Sequence, residues 1–410
     1  MKKIHFIGIG GAGMAPLAQL ALESGVQVSG SDSAVSAKSE HLKALGAAVY
    51  AGHRREQLPE DAELVIYSSA VTEENPERQR SAELGIPQLR RGEFLGVFAR
   101  RFKRVAAVSG SHGKSSITAM LCTILESCNC DPGALIGAAR IDGESALMGN
   151  GDIFVTEVDE SDGTHTCVAP FLGIVPNIDE DHEWSVGGAE ALKENFRTFG
   201  RNCRKLLIAD TPELKEFYAG HPELKTAPQP ESFANFHGFM AKNASLAVEA
   251  AVLLGVDYDE AVKAVSGFSG IERRMRLLKE KEGKIFLEDY AHHPTEVRSS
   301  IELVRKLHPG KELYVIFQPH RYARLERFFS GFCSALDLAD KVIVTPVFAA
   351  WCESGKVDSP ALCRQLEKGS FDGRSWQEMA ADLNALEGGK VILLLGAGDI
   401  SELAELLRRD

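Results

Sequence analysis

The sequence has no apolar run near the ~20 residues that a membrane-spanning helix needs, and Met1-Lys2-Lys3 leads directly into a short strand-like segment instead of an apolar signal core. No membrane role is expected, and the reading is of a cytoplasmic protein. It also lacks any C-x-x-C pair: its eight cysteines are scattered, with only Cys128 and Cys130 close together, which argues against a disulfide or zinc framework. Basic residues are outnumbered, 46 against 58 acidic ones, for a formal net charge of −12. Nucleic acid is therefore not expected as a partner, and any anionic substrate must be held locally. Low-complexity segments and internal repeats of ~20–50 residues are absent too, which removes solenoids and propellers. What remains is 410 residues of ordinary globular composition, 44% hydrophobic and 25% charged, enough for two or three domains.

Short β-rich runs alternate with helical patterns almost from end to end, the signature of parallel sheets with crossover helices. The fold class is α/β. Ile4 to Ile9 opens the first block, followed by glycines and a helix to about Ser24. Val105 to Val108 begins a second block behind the basic segment Arg100 to Arg104, and Ile285-Phe286-Leu287 begins a third. These breaks predict domains over 1–103, 104–272 and 273–410. Thr211 to Phe236, rich in Pro, Glu and His without clear periodicity, reads as a loop or reduced subdomain.

Chemistry collects where strands end. Gly8-Ile9-Gly10-Gly11-Ala12-Gly13 follows a strand and opens a helix, with Asp32 after the next strand. Glycines there let backbone amides and a helix N-terminus approach a diphosphate, and an acid in Asp32's place can accept from a sugar or base. Ser68 and Ser69 close another strand that should face the same crevice. Gly110-Ser111-His112-Gly113-Lys114-Ser115 is a P-loop two residues short of the usual spacing, between a strand and a helix. It offers amides for phosphate, Lys114 for terminal oxygens and Ser115 for Mg²⁺. Some 40 residues on, Glu157 to Asp162 ends a strand with carboxylates that could reach such a metal, and the acidic-loop alternative suits Glu160 better than Glu157. Asn177-Ile178-Asp179-Glu180-Asp181-His182 suggests a second metal position. Two further strand ends carry Glu288 to Glu296 and Gln318 to Arg324; His292 and His293, adjacent in an extended segment, would point oppositely and favour substrate contact over a shared metal.

Taken together, and with Gly396-Ala397-Gly398-Asp399-Ile400, these motifs resemble the ATP-dependent Mur ligases of peptidoglycan synthesis from Ile4 to Leu403, most of all the branch that adds L-alanine. The resemblance implies three domains: an N-terminal Rossmann-like domain for a UDP-sugar, a central P-loop ATPase domain with a mostly parallel sheet, and a Rossmann-like C-terminal domain for the amino acid. It implies UDP-N-acetylmuramate and L-alanine as substrates, ATP and Mg²⁺ as cofactors, and a monomer or homodimer. Carried over by position, Gly10, Gly11, Gly13, Met14, Asp32, Ser68 and Ser69 would bind the UDP-sugar. Gly110, Ser111, His112, Gly113, Lys114, Ser115, Ser116, Asn243, Arg274 and Asp289 would bind ATP. Ser115, Glu157 and His182 would hold metal, Lys114, Glu157 and His182 being the catalytic set, and Tyr290, His292, Arg321 and Arg324 would form the amino-acid site.

The sequence departs from the family in places. Ser111, Ser115 and Ser116 replace threonines, Met275 replaces a phenylalanine, and the stretch from Cys203 to Asn243 is short. An adenine-pocket pattern H-N-x-x-N-A keeps only Asn243-Ala244. Three alternatives stay open: a ligase that attaches a preformed tripeptide to the same sugar, a non-catalytic UDP-sugar-binding descendant, and a nicotinamide-dependent dehydrogenase supported by the first glycine motif alone.

Overall fold

Each strand–turn–helix unit read from the sequence recurs in the computed structural model, which describes residues 2–141, 143–179, 187–350 and 354–409. The chain divides into two units, Met1–Phe236 with Ala241–Ser269, and His237–Met240 with Gly270–Asp410.

Among the described residues, the first unit holds two large sheets. One is wholly parallel, in the order Ala48–Ala51, Gln27–Asp32, Lys3–Ile7, Leu64–Tyr67, Gln88–Arg90. Ile4, Phe6 and Ile7 are buried on a strand covered on both faces, which is why it reads as an apolar run broken only by the buried His5. The order reverses beside Lys3–Ile7, so the loop after that strand opens into a crevice. The other sheet runs Leu224–Ala227, Lys205–Ala209, Leu172–Val175, Arg104–Val108, Ile153–Glu157, Gly133–Leu135, Ala146–Leu147, antiparallel only at the last pair. Arg104–Val108 lies between Leu172–Val175 and Ile153–Glu157, which brings three motif-bearing strand ends side by side.

Aromatic rings tie these sheets together. Phe94, from the helix Arg91–Ala99, meets Phe6 edge-on at 5.8 Å, and Phe98 meets Phe154 at 5.8 Å. Phe102 stacks on Phe154 at 4.9 Å. Pairs of this kind contribute about 0.5–1.5 kcal/mol each beyond their buried area.

The segment expected to be loop-like is more ordered than its sequence suggests. Thr211 caps a helix Pro212–Phe217, Leu224–Ala227 adds the edge strand of the second sheet, and Ser232–Phe233 pairs with Phe236–His237. Short edge strands with one buried residue leave little periodicity to read.

The second unit has one sheet in the order Arg276–Lys281, Lys284–Asp289, Lys390–Leu395, Glu312–Phe317, Lys341–Val344, Gly369–Phe371, antiparallel only at its first pair. Val297, Ile301, Phe317 and Phe332 fill one face; Met379, Leu383, Leu403 and Leu407 fill the other. Lys284 is buried, and its ammonium donates to the carbonyls of Asn384 (2.5 Å) and Leu386 (2.8 Å), closing the C-terminal end of the helix Trp376–Ala385.

Candidate functional site

The glycine turn of the first sheet is held by the neighbouring strand end. The amides of Gly8 and Ile9 donate to the Ser31 carbonyl (2.8 and 3.0 Å), and the Gly10 amide donates to Asp32 Oδ2 (2.8 Å). Gly8 has φ +82°, the left-handed region where a side chain is strained, and a Cβ there would lie 3.3 Å from Ser68 Cβ. Asp32 thus sets the turn with one carboxylate oxygen, an arrangement its sequence position does not reveal.

A cleft of about 350 Å³ lies between the two sheets of this unit. Gly11, Gly13, Met14, Ser68 and Ser69 line one side, and Glu157, Asp159, Ser161 and Asp162 the other. Arg91 also lines it, pairing with Asp162 and donating to Thr164 Oγ1 (3.2 Å). A Cβ on Gly13 would lie 2.8 Å from Arg91 Nη1, so the guanidinium covers the glycine turn. Arg91 is not among the residues expected from sequence; its one signal is that it forms a basic pair with Arg90, where the strand Gln88–Arg90 ends and a helix begins.

In the second sheet, the loop after Arg104–Val108 is clamped from Asn177, whose Oδ1 accepts from the His112 amide (2.8 Å) while its Nδ2 donates to the His112 carbonyl (3.1 Å). Ser111 Oγ accepts from the Asp179 amide (2.8 Å), and His112 Nε2 lies 2.8 Å from Asp179 Oδ2. Ser116 is buried in the first turn of the helix Lys114–Ser127. Lys114 Nζ donates to the carbonyls of Gly110 (2.6 Å) and Ser111 (3.2 Å) and to Glu160 Oε2 (2.8 Å). Burial alone would lower the Lys114 ammonium, but the carboxylates of Glu160, Asp159 and Glu157 outweigh it and raise it, so it stays charged. Glu160 corrects the expectation of a solvated acidic loop: it is 0% exposed, and burial pushes it up to about 7 against the pull of Lys114.

Ser115 Oγ donates to Glu157 Oε2 (2.6 Å), and the Gly137 amide donates to the same oxygen (3.1 Å). Two hard oxygens at that spacing could be neighbouring corners of a Mg²⁺ octahedron. Asn243 sits against the phosphate loop, where a Cβ on Gly113 would be 2.8 Å from its Oδ1. Its Nδ2 is buried without a hydrogen-bond partner among the described residues, a donor suited to a nucleotide. The Ser115, Glu157 and Asn243 geometry therefore fits a Mg²⁺-nucleotide. His182 lies outside the described residues.

The second unit gathers its own cluster at the carboxyl ends of its strands. The Tyr290 ring lies under the guanidinium groups of Arg273 and Arg274, at 4.7 and 5.2 Å. Arg274 Nη1 donates to Glu296 Oε1 (3.1 Å). Asp289 is buried and accepts from the amides of Met275 and Ala291 (both 2.8 Å); burial pushes it up to about 6 against the pull of Arg274. His292 meets the rings of Tyr290 (5.3 Å) and His320 (5.8 Å), whereas His293 turns to Phe328 (4.5 Å), so the adjacent histidines do face different partners.

Arg321 adopts φ +67°, a strained backbone for a non-glycine residue, and its amide donates to the Phe348 carbonyl (2.9 Å). Arg324, in the helix Tyr322–Arg327, is buried, with Nη1 donating to His320 Nδ1 (3.2 Å). His320 stacks on Phe348 at 5.5 Å. Its own burial, then the charges of His292, Arg324, Arg321 and Arg273, hold it down to about 3. A neutral imidazole among guanidinium groups makes a wall that attracts a carboxylate. Arg273 and His320 are additions to the residues expected from sequence.

Two family descriptions match the chain: "Mur ligase family, catalytic domain" over residues 3–103 and "Mur ligase, glutamate ligase domain" over residues 273–398. The chain is 34% identical to the UDP-N-acetylmuramate–L-alanine ligase of Aquifex aeolicus, across 99% of this chain and 97% of that protein. It is 33% identical to the ligase of the same name from Alkaliphilus metalliredigens, over the same shares. Its fold matches a UDP-N-acetylmuramate-alanine ligase of Thermotoga maritima with a TM-score of 0.83 at 26% identity, covering 100% of this chain and 99% of that one. A murein peptide ligase of Psychrobacter arcticus shares the fold at a TM-score of 0.70 and 21% identity, over 100% and 99% of the two chains.

Proposed function

Because the chain belongs to the Mur ligase family, we propose that it is an ATP-dependent ligase joining L-alanine to the lactyl carboxylate of UDP-N-acetylmuramate, an early cytoplasmic step of peptidoglycan synthesis. The observation that carries this reading is the cleft of the first unit, where the glycine turn faces Glu157 and Asp159 from the phosphate-binding sheet. A sugar-nucleotide carboxylate and a nucleotide phosphate can meet there. The 31–34% identity to ligases named for L-alanine favours that amino acid over a tripeptide.

In this reading residues 1–103 take the UDP-sugar, 104–272 take ATP, and 273–410 take the amino acid. Gly10, Gly11 and Gly13 would present amides to the diphosphate, and Arg91 would add a positive charge beside them. ATP, held with Mg²⁺ by Ser115, Glu157 and His182, would supply the γ-phosphoryl group that converts the lactyl carboxylate to an acyl phosphate. Lys114 would neutralise charge on the phosphate oxygens, exchanging its contact with Glu160 for one with phosphate. Asn243, Arg274 and Asp289 would position the nucleotide. Arg321 and Arg324 would fork the amino-acid carboxylate, beside Tyr290, His292 and the neutral His320. With ADP as the leaving group of the phosphoryl transfer, the neutral amine would attack the acyl carbon, and amide formation would release phosphate and the amine's proton.

The test is phosphate release with ATP, Mg²⁺ and UDP-N-acetylmuramate, compared across L-alanine, glycine, L-serine and the tripeptide. L-Alanine should give the highest kcat/KM. Tripeptide preference would assign wall recycling, and UDP-sugar binding without turnover on any acceptor would assign the non-catalytic reading.

A further inference from the structure

A buried polar relay lies behind the glycine turn. Glu77, at the start of the helix Pro76–Leu84, is 0% exposed, and both of its carboxylate oxygens are engaged. Oε2 lies 2.6 Å from Nε2 of His5, itself fully buried, whose Nδ1 is 2.9 Å from Ser29 Oγ. Oε1 accepts from Ser31 Oγ (2.7 Å) and lies 3.0 Å from His53 Nδ1, which is also 2.9 Å from Ser31 Oγ. Three side chains, from two strands and the loop after a third, thus converge on one carboxylate, and Ser29 backs the first of them.

An ionised carboxylate only accepts, so the His53 nitrogen facing it must carry a proton. In a neutral imidazole the other nitrogen is then an acceptor. Nε2 makes no hydrogen bond among the described residues, and the His53 side chain is 25% exposed. The relay therefore leaves one lone pair on a partly exposed side chain. Its place follows from the register: Ala51 pairs with Asp32, the Gly52 amide donates to the Asp32 carbonyl (2.7 Å), and His53 comes next. Asp32 in turn holds the Gly10 amide. A nucleoside extending from a diphosphate on the glycine turn, past the acid of the second strand, would run toward His53.

We propose that Glu77 is a positioning residue for nucleoside recognition: it fixes His53 as the Nδ1–H tautomer, so that Nε2 accepts a hydrogen bond from an N–H or O–H donor of the nucleoside. For UDP the donor is uracil N3–H or a ribose hydroxyl. The inference rests on the reading of this sheet as the UDP-sugar site.

Two measurements on the full chain test it. ¹⁵N-histidine NMR of the wild-type protein should show His53 protonated on Nδ1 and bare on Nε2, with the Glu77→Gln variant losing that single tautomer. Calorimetric binding of UDP, N3-methyl-UDP, 2′-deoxy-UDP and 3′-deoxy-UDP then locates the donor. His53→Ala should weaken UDP about tenfold, the worth of one well-formed hydrogen bond, and should erase the wild-type preference over the one analogue that lacks the donor. Glu77→Gln should weaken UDP in the wild-type background but add no loss to His53→Ala, whereas a purely structural Glu77 would add its loss to both. An Nε2–H tautomer, or unchanged UDP affinity in His53→Ala, overturns the proposal. Wild-type protein that binds neither UDP nor UDP-N-acetylmuramate would instead overturn the sugar-nucleotide reading beneath it.

Discussion

Gly137 gives the most specific handle on the metal site. A Cβ at this position would lie 2.2 Å from Glu157 Oε2 and 2.7 Å from its Cδ, far inside the separation that nonbonded atoms tolerate. The Gly137→Ala side chain must therefore push the Glu157 carboxylate by about 1 Å to restore ordinary contact of roughly 3.4 Å. That displacement separates Oε2 from Ser115 Oγ, now 2.6 Å away. Misplacing a group at the reacting centre by about 1 Å costs about 10²-fold in rate, or about 2.7 kcal/mol. Steady-state phosphate release should fall by about that factor and require more Mg²⁺, while the thermal midpoint changes little. Adding Glu157→Asp, which withdraws the carboxylate by one methylene, should recover part of the loss. Normal turnover of Gly137→Ala at the wild-type Mg²⁺ dependence, or an additive loss on adding Glu157→Asp, would refute this role for Gly137.

Asp289, raised from its ordinary value to about 6, contributes stability that is full below about pH 4 and lost as pH rises through 6. Asp289→Asn lacks that loss, so denaturant unfolding should shift by about 3 kcal/mol in the variant's favour between pH 4 and pH 7. Lys284→Met keeps the apolar stem but leaves the carbonyls of Asn384 and Leu386 without the ammonium. It should cost about 2–3 kcal/mol in calorimetry of the full chain. Arg321→Lys should raise the KM for L-alanine at least about tenfold, with the KM values for ATP and UDP-N-acetylmuramate nearly unchanged, because lysine cannot supply a planar fork.

Much of this architecture was legible because its signals are local. A strand, a glycine turn and a helix start occupy about a dozen consecutive residues, so Gly8 to Met14 and Gly110 to Ser115 could be located from spacing alone. Residues defined by distant partners were not legible in the same way. Glu160 looks like one more surface acid until Lys114, 46 positions earlier, is brought against it. Arg91 acquires meaning only when Asp162 and Thr164 arrive from the second sheet. The relay of His5, Ser31, His53 and Glu77 joins residues up to 72 positions apart, and its polar side chains interrupt the apolar pattern that marks a buried strand. Edge elements such as Leu224–Ala227 escape for another reason: with one buried residue, they carry almost no alternation.

In the proposed reaction the lactyl carboxylate is activated by phosphoryl transfer before the amino acid attacks. UDP-N-acetylmuramate labelled with ¹⁸O in that carboxylate tests it directly, with ATP, Mg²⁺ and L-alanine present and the released phosphate read by mass spectrometry. The account predicts one labelled oxygen in each phosphate, transferred when the acyl phosphate opens, together with the L-alanyl product. Phosphate that carries no label while that product accumulates would contradict it.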